Sequence, residues 1–93
     1  MSEPVIVTYG RQFIENYPKK EFRDALVRAF KFSGADFIVL DSHPTGQRFL
    51  AAGTAWAIDE GLLYNDKNSD DSQHAVASFR LTEKGKQEIL NQP

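Results

Sequence analysis

From Asn65 to Gln73 the chain runs for nine residues without an apolar side chain. A stretch of that kind has nothing to place in a core, so it must be a solvated loop. What flanks it is the opposite. Leu62-Leu63-Tyr64 precedes it, and His74 to Leu81 follows with Ala75, Ala77, Phe79 and Leu81 on one face and His74, Val76, Ser78 and Arg80 on the other. That alternation is the period of a half-buried strand, so the two segments form an antiparallel hairpin with an extended polar tip. Gly61, just before the hairpin, can take the positive φ with which helices end. Thr82, just after it, is a good N-cap for a helix from Glu83 to Leu90.

The helix that Gly61 closes is expected from about Thr45 to Glu60, with Ser42 and Thr45 both acceptable caps. Phe49, Gly53, Trp56 and Glu60 lie along one side, and Leu50 and Ala57 adjoin it. The run Ala51-Ala52-Gly53 and the small Ala55 and Ala57 allow another element to approach closely. In the final helix Ile89 and Leu90 return to the core, while Lys84, Lys86, Gln87 and Glu88 face water.

In the N-terminal half, residues 1 to 4 read as a tail. Val5-Ile6-Val7-Thr8 is a β-branched run and reads as an edge strand. Tyr9, Phe13 and Tyr17 recur at helical spacing around Arg11 to Tyr17, and Pro18 ends or redirects that short helix. Between Lys19 and Phe32, Phe22, Leu26, Ala29 and Phe30 repeat at spacings of three and four, with Ala25 and Val27 widening the stripe. Lys20, Glu21, Arg23, Asp24, Arg28 and Lys31 occupy the other side, and Ser33-Gly34 stops the helix. Periodicity does not separate strand from helix in Phe37-Ile38-Val39-Leu40; β-branching at Ile38 and Val39, with Asp36 and Asp41-Ser42 flanking, favours a strand.

Ninety-three residues make a single domain. The fold expected is α+β, three or four helices with a small antiparallel sheet. There is no cysteine, so neither disulfides nor thiolate ligands are available. No basic region followed by a long apolar run marks a signal peptide, and Phe37 to Leu40 is too short to cross a bilayer. A cytoplasmic protein is the simple reading. Net charge is -2, but residues 35 to 71 carry -5 of it while residues 1 to 34 carry +2. Bulk electrostatics therefore does not favour nucleic acid, although a local basic face can still bind it.

No chemical constellation emerges. His43 and His74 have no partner at metal-ligand spacing, and a turn or surface role suffices for each. Asp66, Asn68, Asp70 and Asp71 lack the Gly and Glu of a calcium loop. Ser42-His43 and Ser72 with His74 lack an orienting carboxylate, and the glycines never cluster around a phosphate. Neither enzymatic activity nor a metal or other cofactor is expected.

Asp59-Glu60-Gly61-Leu62-Leu63 and Leu81-Thr82-Glu83-Lys84-Gly85-Lys86, separated by a hairpin, resemble the C-terminal half of a winged-helix domain of the multiple-antibiotic-resistance regulator family. The resemblance covers about residues 45 to 90. It implies that the Thr45–Glu60 helix is a recognition helix and the polar loop a wing. Two departures stand out. Phe37 to Leu40 and a turn occupy the place of the short scaffold helix, and the wing carries Asp66, Asp70 and Asp71 against Lys67 alone, where phosphate would call for cations.

Two functions follow. In the first, the protein associates with double-stranded DNA, as a homodimer and a transcriptional modulator. Gln47, Arg48 and Thr54 would then face the groove, beside Ala51 and Ala55, while Arg11, Lys67, Arg80 and Lys84 touch phosphates. In the second, the same shape is a non-enzymatic adaptor or inhibitor that binds a protein through Trp56 and the acidic wing residues Asp66, Asp70 and Asp71. Trp56 has a competing role as a core plug against Phe49, Phe79 and Phe30.

Overall fold

A computed structural model describes residues 3 to 41, 46 to 67 and 76 to 91. Among them run helix α1 (Val5–Arg11), a 3-10 turn (Ile14–Asn16), helix α2 (Lys19–Leu26) continuing into wider π-type turns (Val27–Phe32), strand β1 (Phe37–Asp41), helix α3 (Arg48–Asp59), strands β2 (Leu63–Asn65) and β3 (Val76–Leu81), and helix α4 (Glu83–Gly85), which also widens, over Lys86–Leu90. The fold is α+β, with four helices and a three-stranded antiparallel sheet among the described residues.

The first element corrects the edge strand expected at Val5 to Thr8. The segment is helical from Val5, with Pro4 just before it and the Pro4 carbonyl accepting from the amides of Val7 and Thr8 at 3.0 and 3.3 Å. Ile6, Val7 and Gly10 are buried, the spacing of one helical face. What they meet overrides their β-propensity. A β-carbon on Gly10 would stand 2.0 Å from the Ala51 carbonyl oxygen, so α1 and α3 cross almost backbone to backbone. That crossing uses the small-residue run Ala51-Ala52, both fully buried.

The expected break at Pro18 is present. Tyr17 is extended (φ -133°, ψ 149°), the conformation imposed on a residue before proline, and α2 starts at Lys19. Phe22, Leu26 and Phe30 are buried along its inner face. Ser33 bonds back to the Ala29 carbonyl through its hydroxyl, and Gly34 turns the chain away with φ +73°.

Phe37–Asp41 is a strand, but an edge strand rather than a fully buried one. The sheet order is β1-β3-β2. Phe37 pairs with Arg80 and Asp41 with Val76; on the other side of β3, Leu63 pairs with Leu81 and Asn65 with Phe79. The inner face carries Ala77, Phe79 and Leu81, all buried as the alternation predicts, but Ser78, on the opposite face, is buried as well. Residues 68 to 73 of the polar loop lie outside the described residues, as do His43 and His74.

Trp56, 8% exposed, belongs to the core, its ring centroid 5.7 Å from Phe22. Phe22 also meets Phe49 at 5.5 Å and Tyr17 at 5.8 Å. Fully buried side chains such as Phe22, Phe30 and Phe79 each stabilise the fold by about 1.5–3 kcal/mol. Ile89 reaches this core, whereas Leu90, expected inside with it, is exposed.

The helix end at Gly61 and the start of α4 form one joint. Gly61 has φ +77°, and the Leu62 amide bonds to the Ala57 carbonyl at 2.8 Å. The Thr82 amide donates to the Leu62 carbonyl at 3.0 Å, and the Thr82 hydroxyl donates to Gly61 O while accepting from the Gly85 amide at 3.0 Å. Lys84 Nζ reaches the Glu60 carbonyl at 2.8 Å, placing a cation at the negative end of α3.

Candidate functional site

Helix α3 is the element on which a groove-reading site would rest, so the exposure of its side chains is decisive. Gln47 precedes the helix and is half-buried, with its Oε1 unpaired among the described residues. Arg48 is exposed, its guanidinium 5.1 Å from the centre of the Phe13 ring. Thr54 does not face outward: it is 5% exposed and its hydroxyl donates to the Leu50 carbonyl at 2.8 Å. Ala51 and Ala55 have no exposed surface. The expectation that Thr54, Ala51 and Ala55 form an outer face is therefore corrected. The small residues that permit close packing are the ones that α1 and the core cover.

The remaining cations of the expected DNA surface are engaged elsewhere. Arg11 is clamped by Asp59, at 3.1 and 2.7 Å, and by Glu3. The hydrogen bonds to Asp59 and then to Glu3 hold its guanidinium well above the ordinary arginine range. Arg80 Nε bonds to Asp66 at 2.6 Å, which raises its pKa in the same way. Lys84 caps α3 and lies 3.9 Å from Glu88. Lys67 is exposed and has an interaction of its own. Of these five cations, Arg48 included, Arg11 and Arg80 are held by carboxylates and Lys84 by a backbone carbonyl.

The expected protein-binding residues separate similarly. Trp56 is in the core, so it is not a surface anchor. Asp66 is half-buried and occupied by Arg80; Asp70 and Asp71 lie outside the described residues.

An exposed apolar surface on the sheet was not singled out from sequence. Phe37 and Val39 on β1 are 44% and 52% exposed, and Tyr64, across β3 from Phe37, is exposed as well. Arg80 lies between them, 5.0 Å from the Phe37 ring centre. Four consecutive apolar residues show no alternation in sequence; only the burial separates Phe37 and Val39, which are exposed, from Ile38 and Leu40, which are half-buried.

Beneath the same strand, Ile38 lines an apolar cleft of about 60 Å³ together with Phe22, Ala25, Ala29 and Leu50. Among the described residues there is no group of three or more histidine or acidic side chains able to hold a metal, and no helix long and apolar enough to cross a membrane. Comparison with family models, with curated proteins and with solved structures finds no match.

Proposed function

We propose that this chain is a non-enzymatic, winged-helix-like module that binds a protein partner, acting as a cytoplasmic adaptor or inhibitor. The observation that carries this reading is the burial of Ala51, Thr54 and Ala55. A helix packed on that face has little left with which to read base edges. The internal pairing of Arg11 and Arg80 with carboxylates supports it further, because a cation must be free to replace the counterions of phosphate. Helix α3, the hairpin and the capped α4 support the winged-helix likeness.

One observation favours a second reading, DNA association by a homodimeric transcriptional modulator: Arg48 is exposed at the start of α3 and, among the described residues, has no carboxylate partner. Titration of a fluorescent duplex at about 50 and 150 mM salt separates the two. The protein-binding reading expects no saturable binding at either. Binding that falls steeply with salt and is lost in Arg48→Ala would overturn it.

A further inference from the structure

We infer that the free edge of β1 is a docking site for an extended apolar segment flanked by lysine or arginine, which joins the sheet as a further antiparallel strand. The inference rests on the protein-binding reading above and names its surface and partner chemistry.

Four observations carry it. First, among the described residues β1 pairs with β3 alone and forms the end of the sheet order. Its other edge presents unpaired backbone donors and acceptors, the template that strand addition uses. Second, natural edges are commonly blunted by charged side chains, lysine above all, by proline or by a bulge; Phe37–Asp41 pairs residue for residue with β3, without lysine, proline or bulge, and its one charge is Asp41 at the end. Third, the cleft lined by Ile38 contains residues of α2 and α3 but none of β3. It lies where Ile38 of β1 meets α2 and α3, and inward side chains of the added strand would enter it. At about 60 Å³ it is well below the roughly 150 Å³ that accommodates benzene, so it suits an aliphatic side chain rather than an aromatic one.

The fourth observation is charge. Asp36 precedes the strand and Asp41 ends it, and among the described residues neither is in an ion pair. The charged neighbour of Asp36 is Arg80, already bonded to Asp66. Two copies of β1 pairing antiparallel about Val39 would set Asp41 opposite Phe37 and one position from the partner copy's Asp36, gathering two carboxylates and no cation at each end of the pair. An incoming segment with a cation at each end instead places opposite charges there. The edge thus disfavours a second copy of this chain and favours a basic-flanked partner.

The test uses the full chain and end-blocked peptides of about seven residues, long enough to span a typical strand. One alternates valine and threonine between terminal lysines; a second has glutamates at the ends; a third is the lysine peptide with its backbone N-methylated on one edge. Titration followed by NMR should show saturable binding of the lysine peptide, with shifts at Phe37 to Asp41 and at the methyls of Ala25, Ala29 and Ile38. Asp36→Lys combined with Asp41→Lys should weaken the lysine peptide by at least tenfold and strengthen the glutamate peptide by a similar factor, about the 1.4 kcal/mol of a decade. N-methylation on the pairing edge should abolish binding.

Absence of binding at millimolar lysine peptide, equal affinity of both charge variants, or undiminished binding of the N-methylated peptide would overturn the inference. So would β1 shifts that depend on protein concentration alone, the mark of self-pairing. Duplex binding in the titration above would sink the protein-binding reading itself. If neither duplex nor peptide binds, that reading survives and strand addition falls.

Discussion

The carbonyl oxygen of Leu62 lies 2.1 Å from where a β-carbon on Gly85 would stand. The two residues are 23 apart in sequence, one leaving α3 and the other in α4, and only the absence of a side chain lets them meet. Thr82 closes the same contact from the other side, so the Gly-Leu-Leu step and the Leu-Thr-Glu-Lys-Gly step are two halves of one clasp. A backbone carbonyl cannot swing aside as a side-chain end can, and overpacking of this kind costs up to about 3 kcal/mol. Gly85→Ala should lose about that much in urea unfolding. Gly34→Ala, at φ +73° with nothing within 4 Å of its β-carbon, should lose only the roughly 1–2 kcal/mol of a left-handed residue.

Gly10 poses the same question at the α1–α3 crossing. Alanine there would gain about 1 kcal/mol of helix propensity but would meet the Ala51 carbonyl at 2.0 Å. Gly10→Ala is expected to be destabilising by about 2 kcal/mol net. At Gly53 the nearest atom is Cδ1 of the Phe22 ring at 3.2 Å, and a ring can shift by a few tenths of an ångström. Gly53→Ala should be close to neutral, and the paired urea midpoints check the contrast.

Thr82 has two bonds at one hydroxyl, accepting from Gly85 N and donating to Gly61 O. Thr82→Ala should therefore cost about 1–2 kcal/mol, the upper range for a lost N-cap, while Thr82→Ser should restore most of it. Valine, which keeps the shape without the hydroxyl, should behave like alanine; thermal unfolding of the three variants ranks them.

Much of this clasp was legible in the sequence. Gly61 and Thr82 are residue types whose local chemistry fixes their roles, and the hairpin follows from a polar loop between alternating segments. Helix α2 was equally plain, because its stripe of Phe22, Leu26 and Phe30 needs no knowledge of its partner. Helix α1 was not, since Val5 to Thr8 has the composition of a strand and is helical through its packing on α3. The face of α3 failed for the same reason. In sequence, Ala51 and Ala55 suit close packing and a groove-facing surface alike, and a helix cannot present one face to both. Arg11 meets Asp59 across 48 residues, a contact that no local pattern announces.

Glu3 and Arg11 give a pH prediction. The Arg11 guanidinium, through its hydrogen bond, holds the Glu3 carboxyl below its ordinary value of 4.5. A carboxylate depressed in the folded state binds protons less readily than in the unfolded chain. Its contribution is therefore present above pH 4.5 and lost as pH falls through the lower folded value. The Glu3 side-chain resonance should titrate below the usual glutamate range, and Arg11→Ala should move its midpoint upward. The pair lies near the surface, so the effect on overall stability should be small.

The central claim is that α3 is a core helix whose small-residue face is covered by protein. Methyl NMR with a soluble paramagnetic relaxation agent tests it most directly, since relaxation reports the approach of solvent to each methyl. Leu50, 47% exposed, should relax strongly, while the methyls of Ala51, Ala52, Thr54 and Ala55 should be nearly unaffected. Relaxation of Ala51, Thr54 and Ala55 as strong as that of Leu50 would contradict the account, and would return α3 to the role of a surface-reading helix.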